Sequence, residues 1–144
     1  MKIGKIEFAE LEKEISETGE SPLEYLAPDL GKVYVIAIAR DGCSACEKQK
    51  PKLNKLATEV AQKFEDKVVF TQIHIKHLPS SNEESLRSKD IFGHYFYPTN
   101  LILIRTRDRG AIELYRNISP DMDELKKNIV IAAEIATIIE KEIT

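Results

Sequence analysis

The sequence predicts an α/β protein with a central mixed β-sheet and helices on both faces. Three observations carry that expectation. Val33 to Ala39 is short, almost wholly apolar and rich in β-branched residues, the pattern of a strand buried on both faces. A helical segment then leads to a second strand, so the crossover is long enough for a parallel pair. Near the C-terminus two further strands flank Asp108-Arg109-Gly110, a turn that joins them as an antiparallel hairpin.

Each element has its own signal. Phe8, Leu11 and Ile15 recur at helical spacing, which predicts a helix from about Glu7 to Glu17, ended at Thr18-Gly19. Ile3, Ile6 and Phe8 also alternate, so an edge strand competes with that helix at its start; the helix is preferred. Ser21-Pro22 reads as a cap followed by proline at the first helical position, opening a short helix over Pro22 to Leu26. Gly31 breaks the chain before the first strand. From Ser44 to about Phe64, Leu53, Leu56, Ala57, Val60 and Phe64 form an apolar stripe, with Pro51 expected to kink that helix.

The second strand, Val68 to Ile75, sends Val68, Phe70, Gln72 and His74 to one face. Its other face takes Val69, Thr71, Ile73 and Ile75. A modest helix is expected over Asn82 to Phe92, a third strand over Thr99 to Arg105 and a fourth over Ala111 to Tyr115. Ser119-Pro120 should open the last helix, with Asp121 and Asp123 in its first turn, where the dipole favours negative charge. Leu125, Ile129, Ala132, Ala133, Ala136 and Ile139 form its apolar stripe.

The chain of 144 residues fits one domain, with residues 1–31 as an N-terminal helical extension and 32–144 as the core. Net charge is −3, so no basic footprint for nucleic acid is present. Arg105, Arg107 and Arg109 read as a solvated hairpin. No segment is long and apolar enough to span a membrane, and MKIGKIEFAELEKEI has no signal peptide's apolar stretch. The expectation is a soluble, cytoplasmic protein. Abundant Lys, Glu and Ile with no Trp lean towards a thermophilic source.

The only two cysteines stand together in Cys43-Ser44-Ala45-Cys46. Cys43 follows a buried strand and a turn, and it opens a helix. The first amides of a helix lack internal partners and, with the dipole, favour an anion. A thiol in this setting has its pKa lowered from about 8.5 towards 3.5–7.5. Cys43 is therefore expected to be the more acidic and more exposed thiol. Cys46, one turn on, is close enough to close a disulfide with it.

Other uses of these residues stay open. The pair suits a stable structural disulfide, or half of a zinc set with His74 and His77, although that spacing departs from finger patterns. Arg40 and Lys48 favour a thiolate and Asp41 and Glu47 oppose it, so no strongly oxidising potential is expected. His94 is expected as a solvated loop histidine, the sharper alternative being a base near the sulfurs. Tyr95, Phe96 and Tyr97 form an aromatic cluster, part core and part groove.

With Pro51 five residues after the second cysteine and Tyr97-Pro98-Thr99 before a later strand, the chain resembles the thioredoxin superfamily from about Lys32 onward. The resemblance implies a thioredoxin-like fold and a thiol–disulfide oxidoreductase acting on protein disulfides. Cys43 would attack, Cys46 would resolve, and Tyr97 and a cis Pro98 would bind an extended substrate as an added strand. A reductase would recycle the pair, and no cofactor or metal is implied. The departures are Gly42 where Trp is usual, Ser44-Ala45 in the spacer, no carboxylate at Ala37, and Asn117 in place of a glycine, where Asn tolerates the left-handed geometry of a turn. The alternative is a thioredoxin-like binding module or redox sensor with little turnover.

Overall fold

A computed structural model describes residues 3–118 and 121–142. A first strand, β1 (Gly4–Glu7), leads directly into α1 (Phe8–Thr18) and the short α2 (Pro22–Leu26). Next come β2 (Val33–Arg40), α3 (Ser44–Phe64), a 3-10 turn (Glu65–Lys67) and β3 (Val68–Ile75). The chain closes with α4 (Glu83–Phe92), β4 (Thr99–Arg105), β5 (Ala111–Ile118) and α5 (Met122–Lys141).

The sheet has five strands in the order β1-β3-β2-β4-β5. β1 and β2 both run parallel to β3, while β4 is antiparallel to β2 and β5. The mixed sheet expected from the sequence is therefore present. One correction concerns the N-terminus. Residues 1–31 were expected to be a helical extension, but Gly4–Glu7 pair with Thr71–His74 as an edge strand. Of Ile3, Ile6 and Phe8 only Ile6 lies in this strand, and the helical period of α1 begins at Phe8, so the sequence pattern favoured the helix. This segment also feeds the core, since Phe8, Leu11, Leu26 and Ala27 are buried.

The two faces of β2 nucleate two apolar layers. Val33, Val35 and Ala37 pack with Phe70 and Ile102 against Leu53, Leu56, Ala57 and Val60 of α3 and Leu125, Ile129 and Ala133 of α5. Tyr34, Ile36 and Ile38 pack with Ile73, Leu101 and Leu103 against Phe8, Leu11, Leu26 and Phe92. Burial of each Val, Leu, Ile or Phe side chain among these stabilises the fold by about 1.5–3 kcal/mol, and β2 contributes to both layers because it is central.

Local chemistry sets the ends of the elements. Ser21 caps α2 by accepting from the Glu24 N–H at 3.3 Å, and its hydroxyl donates to Glu24 Oε1 at 2.9 Å, a side-chain N-cap. Helix α3 continues through Pro51. The expected start of the last helix at Ser119-Pro120 lies outside the described residues; Asp121 caps α5 by accepting from the Asp123 N–H at 2.9 Å. β5 extends three residues beyond Tyr115, and Asn117 sits inside it as a buried strand residue. Asn117 therefore does not form the expected left-handed turn: pairing with Asn100 keeps it extended. Arg105 donates to the Glu24 and Ala27 carbonyls, and Arg107 donates to those of Ile139 and Glu140 at the end of α5, where the dipole favours a cation. No helix among the described residues is long and apolar enough to cross a membrane.

Candidate active site

The site forms where β2 hands over to α3. Arg40 ends the strand, Asp41-Gly42 turn, and Gly42 takes φ +67°, a left-handed value that favours glycine. Cys43 is then the N-cap of α3. Its Sγ accepts the Cys46 N–H at 3.1 Å, and its carbonyl accepts from the Glu47 N–H. A sulfur aimed at the open amides of a helix is the arrangement that holds a thiolate.

Cys43 and Cys46 are joined as a disulfide, with Cα atoms 5.3 Å apart. Cys43 was expected to be the more exposed thiol, yet each cysteine is 8% exposed. Packing explains the difference: Ala39, Ala45 and Tyr97 close around both residues. The Tyr97–Pro98 peptide is cis, so the structure brings together the four residues singled out from the sequence.

Tyr97 is held from three sides. Its hydroxyl shares a 2.7 Å hydrogen bond with Ser85, Arg40 lies over its ring at 5.4 Å, and His94 meets it edge-on at 5.0 Å. Burial raises the Tyr97 hydroxyl pKa, against the lowering effects of Ser85 and Arg40. His94 is 2% exposed, not the solvated loop residue expected. Helix α4 covers it, with Ser88 Oγ 2.8 Å from Nε2, while Nδ1 has no completed hydrogen bond. Burial pushes its pKa down to about 4, helped by Lys89 and Arg116 and opposed by the nearby Phe96 backbone. His94 is thus neutral at physiological pH and serves as a wedge behind Tyr97. Beside it Tyr95 and Phe96 stand out, 80% and 61% exposed.

Behind Cys46 a cavity of about 300 Å³ opens between α3 and the edge of the sheet, lined in part by Cys46, Gln49, Ala37, Gln72, His74 and Asp41. Register places Gln72, Ala37, Asn100 and Asn117 in one row across the sheet, and of these Ala37 and Gln72 line the cavity. Gln49 of α3 meets this row: its Nε2 donates to Asn100 Oδ1 at 3.2 Å, and Asn100 Nδ2 donates to Gln49 Oε1 at 2.9 Å. Amides, not a carboxylate, therefore occupy the level of Ala37.

One row further along, His74 joins two carboxylates. Nδ1 lies 2.6 Å from Glu7 Oε2 and Nε2 lies 2.6 Å from Asp41 Oδ1. Burial lowers the His74 pKa, but its hydrogen bonds to Glu7 and Asp41 outweigh this and raise it. Both carboxyl pKa values are held low, chiefly by the hydrogen bond to His74. With both ring nitrogens committed, His74 does not converge with His77 on the cysteines as the zinc alternative required. Among the described residues no group of three or more His, Cys, Asp or Glu side chains is placed to hold a metal ion. This cluster was not foreseen, since Glu7 reaches His74 only through the β1 pairing. Lys48 is exposed on α3.

No protein-family model matches the chain, and no curated protein matches it in sequence. Solved structures do match. Thioredoxin NaTrxh from Nicotiana alata is 22% identical, with 91% of this chain and 95% of that chain covered, at a TM-score of 0.59. Thioredoxin f from spinach chloroplast (long form) is 19% identical, covering 92% and 87%, at 0.58. Fasciola hepatica thioredoxin is 21% identical, covering 90% and 98%, at 0.52. At such identities the likeness is one of fold: this chain has the thioredoxin-like fold.

Proposed function

We propose that the protein is a thiol–disulfide oxidoreductase that exchanges electrons with protein disulfides through Cys43 and Cys46. The observation that carries this reading is Cys43 Sγ seated on the Cys46 N–H at the start of α3, beside Tyr97 and Pro98. In the reduced protein the Cys43 thiolate attacks one sulfur of a substrate disulfide. The substrate S–S bond breaks, its electron pair leaves with the other sulfur, and a mixed disulfide forms. Cys46 loses its proton and attacks Cys43 Sγ. The remaining substrate sulfur leaves with the bonding pair, and the Cys43–Cys46 disulfide results.

Tyr97 and Pro98 are the proposed substrate contacts, with exposed Tyr95 and Phe96 offering apolar surface alongside them. An electron donor, a reductase in this reading, returns two electrons to the pair. The chemistry needs no bound cofactor.

The test is reduction of insulin disulfides together with trapping. Wild type reduces them, Cys43→Ser is inactive, and Cys46→Ser accumulates mixed disulfides through Cys43. Absence of both turnover and trapped species contradicts the reading. A second reading, a redox-sensing binding module with slow turnover, is favoured by one observation: amides that do not accept a thiol proton at neutral pH lie at the level of Ala37. A sensor changes its affinity for a partner on oxidation yet shows no reductase-coupled multiple turnover.

A further inference from the structure

We infer that His74, clasped between Glu7 and Asp41, is a positioning residue for the cysteine pair: its proton fastens the turn that carries Cys43 and adds a positive charge to the cavity beside Cys46. The inference deepens the oxidoreductase reading and rests on the same site.

The positional part follows from connectivity. Asp41 stands two residues before Cys43. Its N–H donates to the Ile75 carbonyl at 3.1 Å, Oδ2 accepts the His77 N–H at 3.4 Å, and Oδ1 meets His74 at 2.6 Å. The turn is therefore tied to the end of β3, and His74 is tied in turn to β1 through Glu7. An imidazole that faces a carboxylate at each nitrogen donates to both only as imidazolium. When the proton leaves, one contact becomes a lone pair facing an anion, and that side of the clasp opens.

The electrostatic part follows from the cavity that His74 shares with Cys46. Charged groups reach this region from every element around it. Lys5 and Glu7 come from β1, Arg40 and Asp41 from the end of β2 and its turn, and Glu47 and Lys50 from α3. From β3 and its end come His74 itself and the His77 backbone. The three cations offset the three anions, so the His74 proton decides whether the neighbourhood is net positive or neutral. A thiolate gains from that proton, and by reciprocity the thiolate holds the proton more tightly. His74 should release its proton at higher pH in the reduced protein than in the disulfide form.

Two measurements test this on the full chain. The first follows the His74 ring signals by NMR against pH in both redox states. The expected result is a midpoint about half a unit higher in the reduced form, equivalent to about threefold tighter proton binding. The second follows iodoacetamide alkylation against pH. His74→Gln raises the thiol midpoint, leaving about threefold less thiolate near neutrality, and His74→Lys restores it by returning the charge. Equal His74 midpoints in the two redox states overturn the inference, as does a His74→Gln thiol midpoint equal to wild type. Should His74→Gln fail to fold, the wild-type titration decides alone. Neither measurement uses a substrate. A protein that shows the coupling but neither reduces nor traps disulfides would contradict the enzyme reading and leave this one standing.

Discussion

Gly42 takes a φ of +67° immediately before Cys43, and a Cβ built there meets nothing within 4 Å. The cost of a side chain at Gly42 is therefore one of backbone conformation, not collision. Gly42→Ala is expected to destabilise the protein by about 1–2 kcal/mol, read from the urea midpoint at unchanged slope. Glu65 is the opposite case, a non-glycine residue at φ 55° where α3 gives way to the 3-10 turn. Glu65→Gly should relieve part of that strain and stabilise by about 1 kcal/mol. A fall in melting temperature would contradict this. The glycine and cysteine positions could be read from residue type alone. His74 could not: its partners come from β1 and from the Asp41 turn, remote in sequence, and only strand register brings them together.

At the scale of elements, helix α3 is bound to β4 by the reciprocal amide bonds of Gln49 and Asn100, both buried. Removing one partner leaves the other, itself buried, without its hydrogen bonds, at about 1–3 kcal/mol. Gln49→Ala and Asn100→Ala should each destabilise by that order, and the double variant by clearly less than their sum. Additive losses in denaturant titrations would show that the two amides do not act as a pair. Most elements were legible because period and boundary chemistry agree. The apolar run of β2, the stripe of α3 and the Ser21-Pro22 cap each state their structure locally. β1 was not legible, because four residues running straight into α1 leave no turn signal between strand and helix. The buried state of His94 was hidden for a related reason: a loop histidine reveals its cover only once α4 has packed.

For the molecule as a whole, the Glu7–His74–Asp41 clasp joins the edge of the sheet to the turn at its centre, so its titration should show in global stability. His74 has a raised pKa; its contribution is complete below the ordinary histidine value of about 6.5 and is lost as pH rises through the raised one. Glu7 and Asp41 have lowered pKa values; theirs is present above the ordinary carboxylate range of about 4 and is lost as pH falls through the lowered values. The clasp thus contributes most between about pH 4.5 and 6.5. Both carboxylates are more than a third exposed, which screens the effect to about 1 kcal/mol or less. The stability gap between wild type and His74→Gln should be largest near pH 5.5 and shrink towards pH 9 in urea titrations. A gap that widens with pH would reverse the assigned sign.

The start of α3 is expected to keep the Cys43 sulfur ionised in the reduced protein. The most direct measurement is the pH dependence of iodoacetamide alkylation in reduced Cys46→Ser, where Cys43 is the only thiol. A sulfur whose thiolate is stabilised by the helix amides should show a midpoint below about 7.5, whereas an ordinary thiol titrates near 8.5. A midpoint at or above the ordinary value would contradict the account.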